Sequence, residues 1–513
     1  MEGLVLTSKF KALLIGGVGL LLAIFLGSQI GASDYQPIIF GVLIAIACVL
    51  WFSGPYFWLL AIASSFLAGT FPILREHFTP FHILMAMGLA KFVIGDVILQ
   101  RIPLKKPSNF DLLMIAGFMS VLTVHGVQNR FGMRFLGSST WGGHNYVNVY
   151  VGMAAFFVTQ SIPMNPKVWA KLPLVILAVT AFDLLIAVIT TILPASIYVI
   201  YPFYSAVSVV GLGEIISGGR DVTGRVGAFG TFGVILVTLI LATAPVQRLL
   251  HPSNFFRLLA LIGGALSALY SGFRSAVFGT LVTVLAAGVR DLKGRVLFLL
   301  PLIAGILFTL SVINSELVPL PKQVQRGLAF IPGNWDVTMA QDAAASNVFR
   351  RNVWELWYHQ YFPAQPWFGR GFGFKSEWTK PSIYYLKGID YQQMVEVGNI
   401  HNGFLAALDA IGIIGTIFFV IWTVRLLART FRVSFRGNDE AGIALRFLAL
   451  YLAVWIITYW VGALNVGSFL PQTFAFAGVF LRLQGNISAE SKGVTLGAGT
   501  RDQNIREEVT QVG

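Results

Sequence analysis

Charge and cysteine are both scarce in this sequence. Charged residues make up 12% of its 513 positions and hydrophobic residues 56%, against about 25% and about 45–50% in soluble domains. This balance excludes an ordinary soluble globular chain. The single cysteine, Cys48, lies within an apolar run, so an intrachain disulfide and a cysteine-based metal site are excluded as well. The sequence also lacks internal repeats and low-complexity tracts.

Apolar runs of helical length recur along the chain. A helix needs about 20 apolar residues to cross the core of a bilayer. Runs near that length lie at 12–30, 37–53, 56–72, 80–99, 110–126, 147–162, 172–193, 227–245, 255–271, 275–290, 295–313, 402–424, 444–465 and 469–483. They predict an all-α, polytopic membrane helical bundle of about 12–14 transmembrane helices. Because many runs follow it, the first is interpreted as an uncleaved helix rather than as a signal peptide.

The net charge of +13 raises the question of a nucleic-acid partner, but the positions of the basic residues give another explanation. With a cytoplasmic N-terminus, alternating helices place most basic residues of the N-terminus and short loops in the cytoplasm: Lys9, Lys11, Arg101, Lys105, Lys106, Lys167, Lys171, Arg248, Arg257, Arg290, Lys293, Arg295, Arg425, Arg429, Arg432, Arg436 and Arg446. The short outer loops hold fewer: Arg75, Arg130, Arg134, Arg220, Arg225 and Arg274. This asymmetry predicts that both termini are cytoplasmic and explains the charge without nucleic acid.

One loop is much longer than the others. Residues 314–399 lie outside in this topology and are rich in aromatic residues, which predicts a large, partly helical loop rather than a disordered linker. Within it, Val348–Phe362 has the pattern of an amphipathic helix. Arg350 and Trp354 share one stripe of that helix, whereas Arg351 lies beside Glu355 at a spacing of four. The glycines of PWFGRGFGF, which follows, predict a turn.

The segment HNGFLAALDAIGIIG begins with His401 at the first turn of an apolar helix. Asn399 or Asn402 is expected to accept a hydrogen bond from the free amides of this turn. These amides and the helix dipole favour a nearby anion and a neutral imidazole. Gly412 and Gly415 lie on the same stripe, where they are expected to let a neighbouring helix approach. A purely structural histidine is the alternative interpretation.

Arginines at the outer face favour a binding site instead. Arg274, in LYSGFRSAVFG, starts a helix after a tight outer turn, where a cation opposes both the helix dipole and the positive-inside rule. Arg225, in GRVGAFG, has the same kind of position, and Arg350 faces the aromatic side of the loop helix. Guanidinium groups bind phosphate through two hydrogen bonds and keep their charge, so this set with His401 predicts a site for a phosphorylated lipid. For any one arginine, anchoring to lipid headgroups is the alternative.

These motifs resemble those of the bacterial O-antigen ligases and the related O-antigen polymerases. His401, Asn402, Gly412 and Gly415 match the family's pattern of His, then Asn, Ser or Gln, nine residues, Gly, two residues and Gly. RRNVWELWYHQYFPAQPWFGRGFG is similar to the family's segment before that motif, SGFRSA to its Ser-x-x-Arg turn, and GRVGAFG to its outer arginine segment. The resemblance covers about residues 200–430.

The resemblance implies a membrane glycosyltransferase of the type C class in the bacterial inner (cytoplasmic) membrane. Such an enzyme moves a glycan from a polyprenyl diphosphate carrier to an acceptor hydroxyl, on a glycan or on the lipid A core, at the periplasmic face and without metal or cofactor. His401 and Arg274 are then catalytic, with His401 accepting or orienting the hydroxyl proton. The other implied residues bind the diphosphate or the glycan: Arg225, Arg350, Arg351, Trp354 and Asn402.

The same interpretation divides the chain into four parts. They are N-terminal transmembrane helices (1–200), a catalytic region that includes the periplasmic loop 314–399 (201–430), C-terminal transmembrane helices (431–483) and a disordered cytoplasmic tail (484–513).

Two alternatives come from other functional classes. A transporter or flippase for a lipid-linked glycan is the main one, and its best support is the presence of Lys91, Asp96 and Asp183 within predicted spans. The lack of an internal repeat argues against it. The other alternative is an assembly scaffold without catalysis, in which the outer histidine and arginines would have no role. Ligase and polymerase differ only in the acceptor, and the sequence favours neither.

Overall fold

The computed structural model describes residues 49, 51–67, 69–70, 79–94, 107–133, 136, 138–162, 165–200, 204, 226–375, 391–433, 440–462 and 465–487. The chain divides into two compact units, Met1–Phe57 and Trp58–Gly513. The sites discussed below all lie in the second unit.

Helices make up nearly all of the regular structure in these residues. In chain order, those used below are α1 (Pro55–Ala63), α2 (Pro80–Lys91), α3 (Asn109–Gln128), α4 (Gly143–Ser161), α5 (Leu172–Ile192), α6 (Gly227–Thr243), α7 (Phe255–Tyr270), α8 (Arg274–Leu292), α9 (Leu299–Val312), α10 (Lys322–Leu328), α11 (Val337–Leu356), α12 (Tyr391–Glu396), α13 (Gly403–Phe431), α14 (Glu440–Val461) and α15 (Val466–Ile487). Two short strands, β1 (Thr140–Trp141) and β2 (Phe374–Lys375), pair antiparallel, with Thr140 opposite Lys375.

The helix lengths confirm the predicted all-α, multi-pass membrane protein. In the described part of the chain, 8 helices are long and apolar enough to cross a membrane, and shorter apolar helices add to them. The predicted run 147–162 is also helical, within α4. The run 12–30 and nearly all of 37–53 lie outside the described residues. At the other end, α15 continues to Ile487, so the first four residues of the predicted tail, 484–487, are helical.

Close packing in the bundle depends on glycine at a few crossings. α6 packs against α7, where a Cβ atom on Gly233 would lie 2.5 Å from the carbonyl oxygen of Gly264. α13 packs against α3 and α14, and a Cβ atom on Gly403 would overlap the carbonyl oxygen of Tyr459. Because lipid tails are as apolar as leucine, small residues that permit backbone contact stabilise such crossings.

Arginines join helices at the end of the bundle that lies far from His401. Arg429, in the last turn of α13, donates through Nη1 to Asp111 at the start of α3, at 3.2 Å. Arg446 of α14 is buried and donates through Nε to the Ala242 carbonyl at the end of α6, at 2.9 Å. These residues belong to the set that the charge asymmetry assigns to the cytoplasm.

Pairing inside the bundle accounts for Asp183, one of the ionisable residues that favoured a transporter. Asp183 is buried and accepts a hydrogen bond from the Tyr204 hydroxyl at 2.7 Å. Lys91 also has an interaction partner. Asp96 lies outside the described residues.

The long loop is partly helical, as predicted, but its main helix begins earlier than the sequence pattern indicates. α11 starts at Val337 rather than at Val348, because the Asp336 carboxylate caps it by accepting two backbone N–H bonds. A π-helical turn, Trp357–Tyr361, continues it. Its first half is rich in alanine and lacks an amphipathic stripe, so hydrophobic periodicity does not reveal it.

Candidate functional site

α13 is broken at Gly412, nine residues after its start. Gly412 has φ +61° and ψ −170°, a combination that is essentially restricted to glycine. The break leaves backbone N–H and carbonyl groups without partners in their own helix. In a membrane protein such groups must be paired within the protein.

A strap from the long loop, residues 366–371, supplies these partners. Two strap carbonyls accept from the first N–H groups after the break, Pro366 from Ile413 at 2.9 Å and Trp367 from Ile414 at 3.1 Å. Two strap N–H groups donate to carbonyls before the break, Arg370 to Asp409 at 2.6 Å and Gly371 to Ala410 at 3.1 Å.

The strap also explains why position 412 has no side chain. A Cβ atom on Gly412 would overlap the strap backbone at Trp367 and Phe368. The close neighbour of this glycine is therefore the strap rather than the helix that the sequence predicts. The predicted turn is confirmed, since Gly369 and Gly371 have φ +74° and +69°.

His401 lies immediately before this broken helix, in an unusual backbone conformation. Its φ of +56° is in the left-handed region, where histidine is one of the few non-glycine residues that are enriched. The Asn402 side chain caps α13 by accepting from the Leu405 N–H at 3.1 Å, which confirms the predicted cap. On the other side, the Trp354 indole N–H donates to the Ile400 carbonyl at 2.8 Å. The backbone is thus held on both sides of His401.

Arg350 lies near both Arg274 and His401. Nη1 of Arg274 donates to Oδ1 of Asn347 at 3.0 Å, and Asn347 precedes Arg350 by one turn of α11. The positive charge of Arg350 acts on both Arg274 and His401, so it lies within electrostatic range of each. The Phe349 ring meets the His401 imidazole edge to face, with 6.1 Å between ring centroids. His401, Arg274 and Arg350 form what is called below the basic cluster.

Arg326 supports this cluster, although no sequence pattern singles it out. Its buried guanidinium donates to the Gly272 carbonyl at 2.7 Å and pairs with Asp342 of α11. It thereby joins the turn that precedes Arg274 to the helix that carries Arg350. The only sequence signal is an acidic residue 16 positions away, which is not a recognisable local pairing.

The electrostatics of the cluster favour a neutral histidine beside permanent cations. Burial and then the charge of Arg350 lower the pKa of His401 below its ordinary value, so its imidazole is neutral at neutral pH. Burial and then Arg326 lower the pKa of Arg350 as well, although a guanidinium keeps its proton in proteins. Among the described residues, the carboxylate near these cations is Asp342, and it pairs with Arg326.

The other predicted site residues lie apart from the cluster or have structural contacts. Arg351 is exposed and lies 3.8 Å from the Glu355 carboxylate, as its spacing predicts. Trp354 uses its N–H to hold the Ile400 carbonyl. Arg225 lies outside the described residues. In the part of the chain that is described, no group of three or more His, Cys, Asp or Glu residues is arranged to hold a metal ion.

A small pocket opens beside the segment that leads to His401. Its polar lining consists of Asn145, Glu396, Asp409 and Asn465, and Gly398 and Gly467 leave it open. Amide groups donate and accept hydrogen bonds and carboxylates accept them, so this lining is suited to hydroxyl groups.

Comparison with known proteins agrees with the motifs. Residues 258–420 match the family model for O-antigen ligase, which confirms the resemblance to the O-antigen ligases and polymerases. The matched range includes the whole basic cluster, the strap and the break at Gly412. It implies a glycosyltransferase-type activity of the O-antigen ligase or polymerase kind. No curated protein matches the chain.

Proposed function

We propose that this chain, which carries the O-antigen ligase domain at residues 258–420, transfers a glycan from a polyprenyl diphosphate carrier to an acceptor hydroxyl. The reaction takes place at the periplasmic face of the bacterial inner membrane. The observation that carries the proposal is the basic cluster, in which Arg350 lies near both a neutral His401 and Arg274 while the nearby carboxylate is already paired with Arg326. A dianionic or more highly charged group is the natural counterpart of such a site.

Arg274 and Arg350 are the proposed ligands of the donor diphosphate. Both are partly buried, and a guanidinium in a partly desolvated place binds phosphate oxygens more strongly than one in bulk water. Arg274 uses Nη1 for Asn347, which fixes its plane and leaves further N–H groups for the ligand.

His401 is the proposed partner of the acceptor hydroxyl. The acceptor oxygen attacks the anomeric carbon, the bond from that carbon to the diphosphate oxygen breaks, and the electron pair leaves with the diphosphate. The hydroxyl proton passes to the neutral imidazole of His401. Charge that builds on the leaving diphosphate is stabilised by Arg274 and Arg350, an electrostatic effect that is usually the largest in such reactions.

The acceptor is a glycan or a sugar of the lipid A core, and we propose that the polar pocket beside residues 396–398 holds its hydroxyl groups. The catalytic region is proposed to extend over residues 201–430, with residues 314–399 in the periplasm and both termini in the cytoplasm. Arg429 and the buried Arg446 at the far end of the bundle support this orientation, since basic residues concentrate on the cytoplasmic side.

The test is transfer by the purified protein from a polyprenyl diphosphate glycan to an acceptor, with a chelator present and no added metal. His401→Asn is the sharpest variant, because asparagine also tolerates the left-handed backbone of this position but cannot act as a base. We expect a loss on the order of 10²–10⁴-fold in rate, with donor binding retained. Lys322→Ala, at an exposed outer-loop cation, serves as the control and should transfer normally.

Near-normal transfer by His401→Asn, or a strict need for a divalent metal, would contradict this mechanism and favour the transporter alternative. The acceptor can be identified from the lipopolysaccharide or exopolysaccharide banding pattern of a strain that lacks this protein. Loss of long chains from the core with lipid-linked polymer still present indicates a ligase, whereas single-repeat products indicate a polymerase.

A further inference from the structure

We propose that Arg370 is a positioning residue that, with Asp409, sets the place of His401. This inference rests on the proposed function only for the role of His401 in transfer. Its geometric part concerns the chain segment 395–409, and that part is tested separately below.

Arg370 uses its whole side chain to join two points on either side of His401. Nε and Nη2 donate to the two carboxylate oxygens of Asp409, each at 2.9 Å, so the pair is bidentate. Nη2 also donates to the Val395 carbonyl at 2.7 Å, and Nη1 lies 3.7 Å from Glu396. One guanidinium thus closes residues 395–409 into a loop, with His401 between the two anchored ends.

The anchor at Asp409 is firm because other groups hold it as well. Asp409 is buried and accepts a third hydrogen bond from the Trp357 indole N–H at 2.8 Å. Burial alone would lower the pKa of Arg370, but Asp409 and then Glu396 raise that pKa above its ordinary value. A buried charge pair of this kind has little tolerance for the loss of either partner.

The anchor at residues 395–396 is equally well defined. Val395 and Ile400 are fully buried with Val353 and Trp357 in one apolar cluster. The Tyr361 hydroxyl donates to Glu396 at 3.0 Å. Burial and the charge of Glu396 raise the pKa of Tyr361 to about 12, so it stays a donor. The Arg370 guanidinium lies 4.7 Å from the centre of the Tyr361 ring.

His401 needs such support because its own backbone conformation is unfavourable. A non-glycine residue in the left-handed region costs on the order of 1–3 kcal/mol and persists only where the surroundings fix it. The same strap that carries Arg370 also fills the break at Gly412. Arg370 therefore couples the docked strap to the position of the imidazole relative to Arg350.

A lysine at position 370 cannot reproduce this geometry, since a single ammonium replaces three nitrogens that reach different acceptors. We expect Arg370→Lys to lower kcat of glycan transfer at least tenfold while KM for the donor stays within twofold. In a His401→Ala background the same change should cost nothing further, because it acts through His401. Arg429→Lys, in an ion pair at the opposite end of α13, is the matched control and should not interact with His401→Ala.

A merely structural role predicts the same loss in both backgrounds, and that outcome would overturn the proposal. Amide hydrogen exchange tests the geometry without reference to activity. The N–H groups of Val397, Gly398 and Asn399 donate to the carbonyls of Gln393, Val395 and Met394, next to the anchored end at Val395. In Arg370→Lys their exchange should rise about tenfold or more, with α8 unchanged. Unchanged exchange would also overturn the proposal, whereas a wild-type protein that transfers no glycan would contradict only the proposed function.

Discussion

At the scale of single residues, the basic cluster combines a histidine in a strained backbone conformation with two cations. His401 has a left-handed backbone, and Arg350 disfavours its protonated form. The left-handed backbone costs stability, and so does the repulsion between Arg350 and Arg274. A bound diphosphate would relieve the repulsion between the charges, so substrate binding and the state of the base are linked.

Arg274→Lys should impair transfer almost as much as Arg274→Ala, on the order of 10²-fold or more. The reason is that one ammonium cannot both hold Asn347 and grip two phosphate oxygens as a guanidinium does. Steady-state transfer rates of the two variants and of Lys322→Ala provide the measurement. Full activity of the lysine variant would reduce Arg274 to an interfacial anchor.

The acid side of the pH profile should report His401. Burial and Arg350 lower its pKa below the ordinary 6.5. We therefore expect kcat/KM to be constant around neutral pH and to fall only at pH values below 6.5, where the imidazolium form cannot accept a proton. Arg350→Gln removes the positive neighbour and should raise the midpoint. Burial remains in that variant, so the midpoint should still lie below 6.5. A midpoint that does not move would argue against this assignment.

The sequence alone identifies some residues of the candidate site and misses others, and the reason is physical. His401, Asn402 and Arg274 stand where a helix begins, and a polar or basic residue at that place is visible as a departure from membrane composition. Arg326 and Arg370 find their partners across long chain separations, at Gly272 and Asp409. Nothing local in the sequence indicates such pairs.

At the scale of secondary structure, the break in α13 is the feature that the hydrophobic pattern conceals. An apolar run with two glycines is equally compatible with a continuous helix and with a broken one. The outcome depends on the strap, which pairs the freed backbone groups on both sides of Gly412. Helix existence and approximate length were predictable from apolar runs, whereas the early start of α11 depends on the cap at Asp336.

Gly412→Ala should destabilise the protein and abolish transfer. The residue lies at φ +61°, ψ −170°, which costs alanine on the order of 1–3 kcal/mol, and its Cβ atom would overlap the strap. Thermal unfolding in detergent provides the measurement. Gly305→Ala, in α9 with nothing near its Cβ position, is the control and should be neutral or slightly stabilising. Equal unfolding temperatures for the two variants would contradict the docked strap.

At the scale of the whole molecule, the two ends of the bundle differ in how they use arginine. At the far end of α13, the partly exposed Arg429 donates to a buried carboxylate and the buried Arg446 to a carbonyl. At the end near His401, Arg326 and Arg370 are likewise paired with carboxylates. Arg274 instead donates to the Asn347 amide and, like Arg350, is partly exposed. A partly exposed guanidinium can donate hydrogen bonds to a ligand, so the end near His401 is the one suited to an anionic substrate.

This difference leads to a topology that labelling can test in the full-length protein. The basic residues of the short loops concentrate on the side away from His401, which predicts that the long loop lies in the periplasm. In a Cys48→Ser background, Lys322→Cys, at an exposed position of α10, should react with a membrane-impermeant maleimide in intact spheroplasts. Arg257→Cys, exposed near the start of α7, should react only after the membrane is permeabilised. Because α7 and α8 connect these two sides, the reverse labelling pattern would place the basic cluster in the cytoplasm, where a periplasmic glycan transfer is impossible.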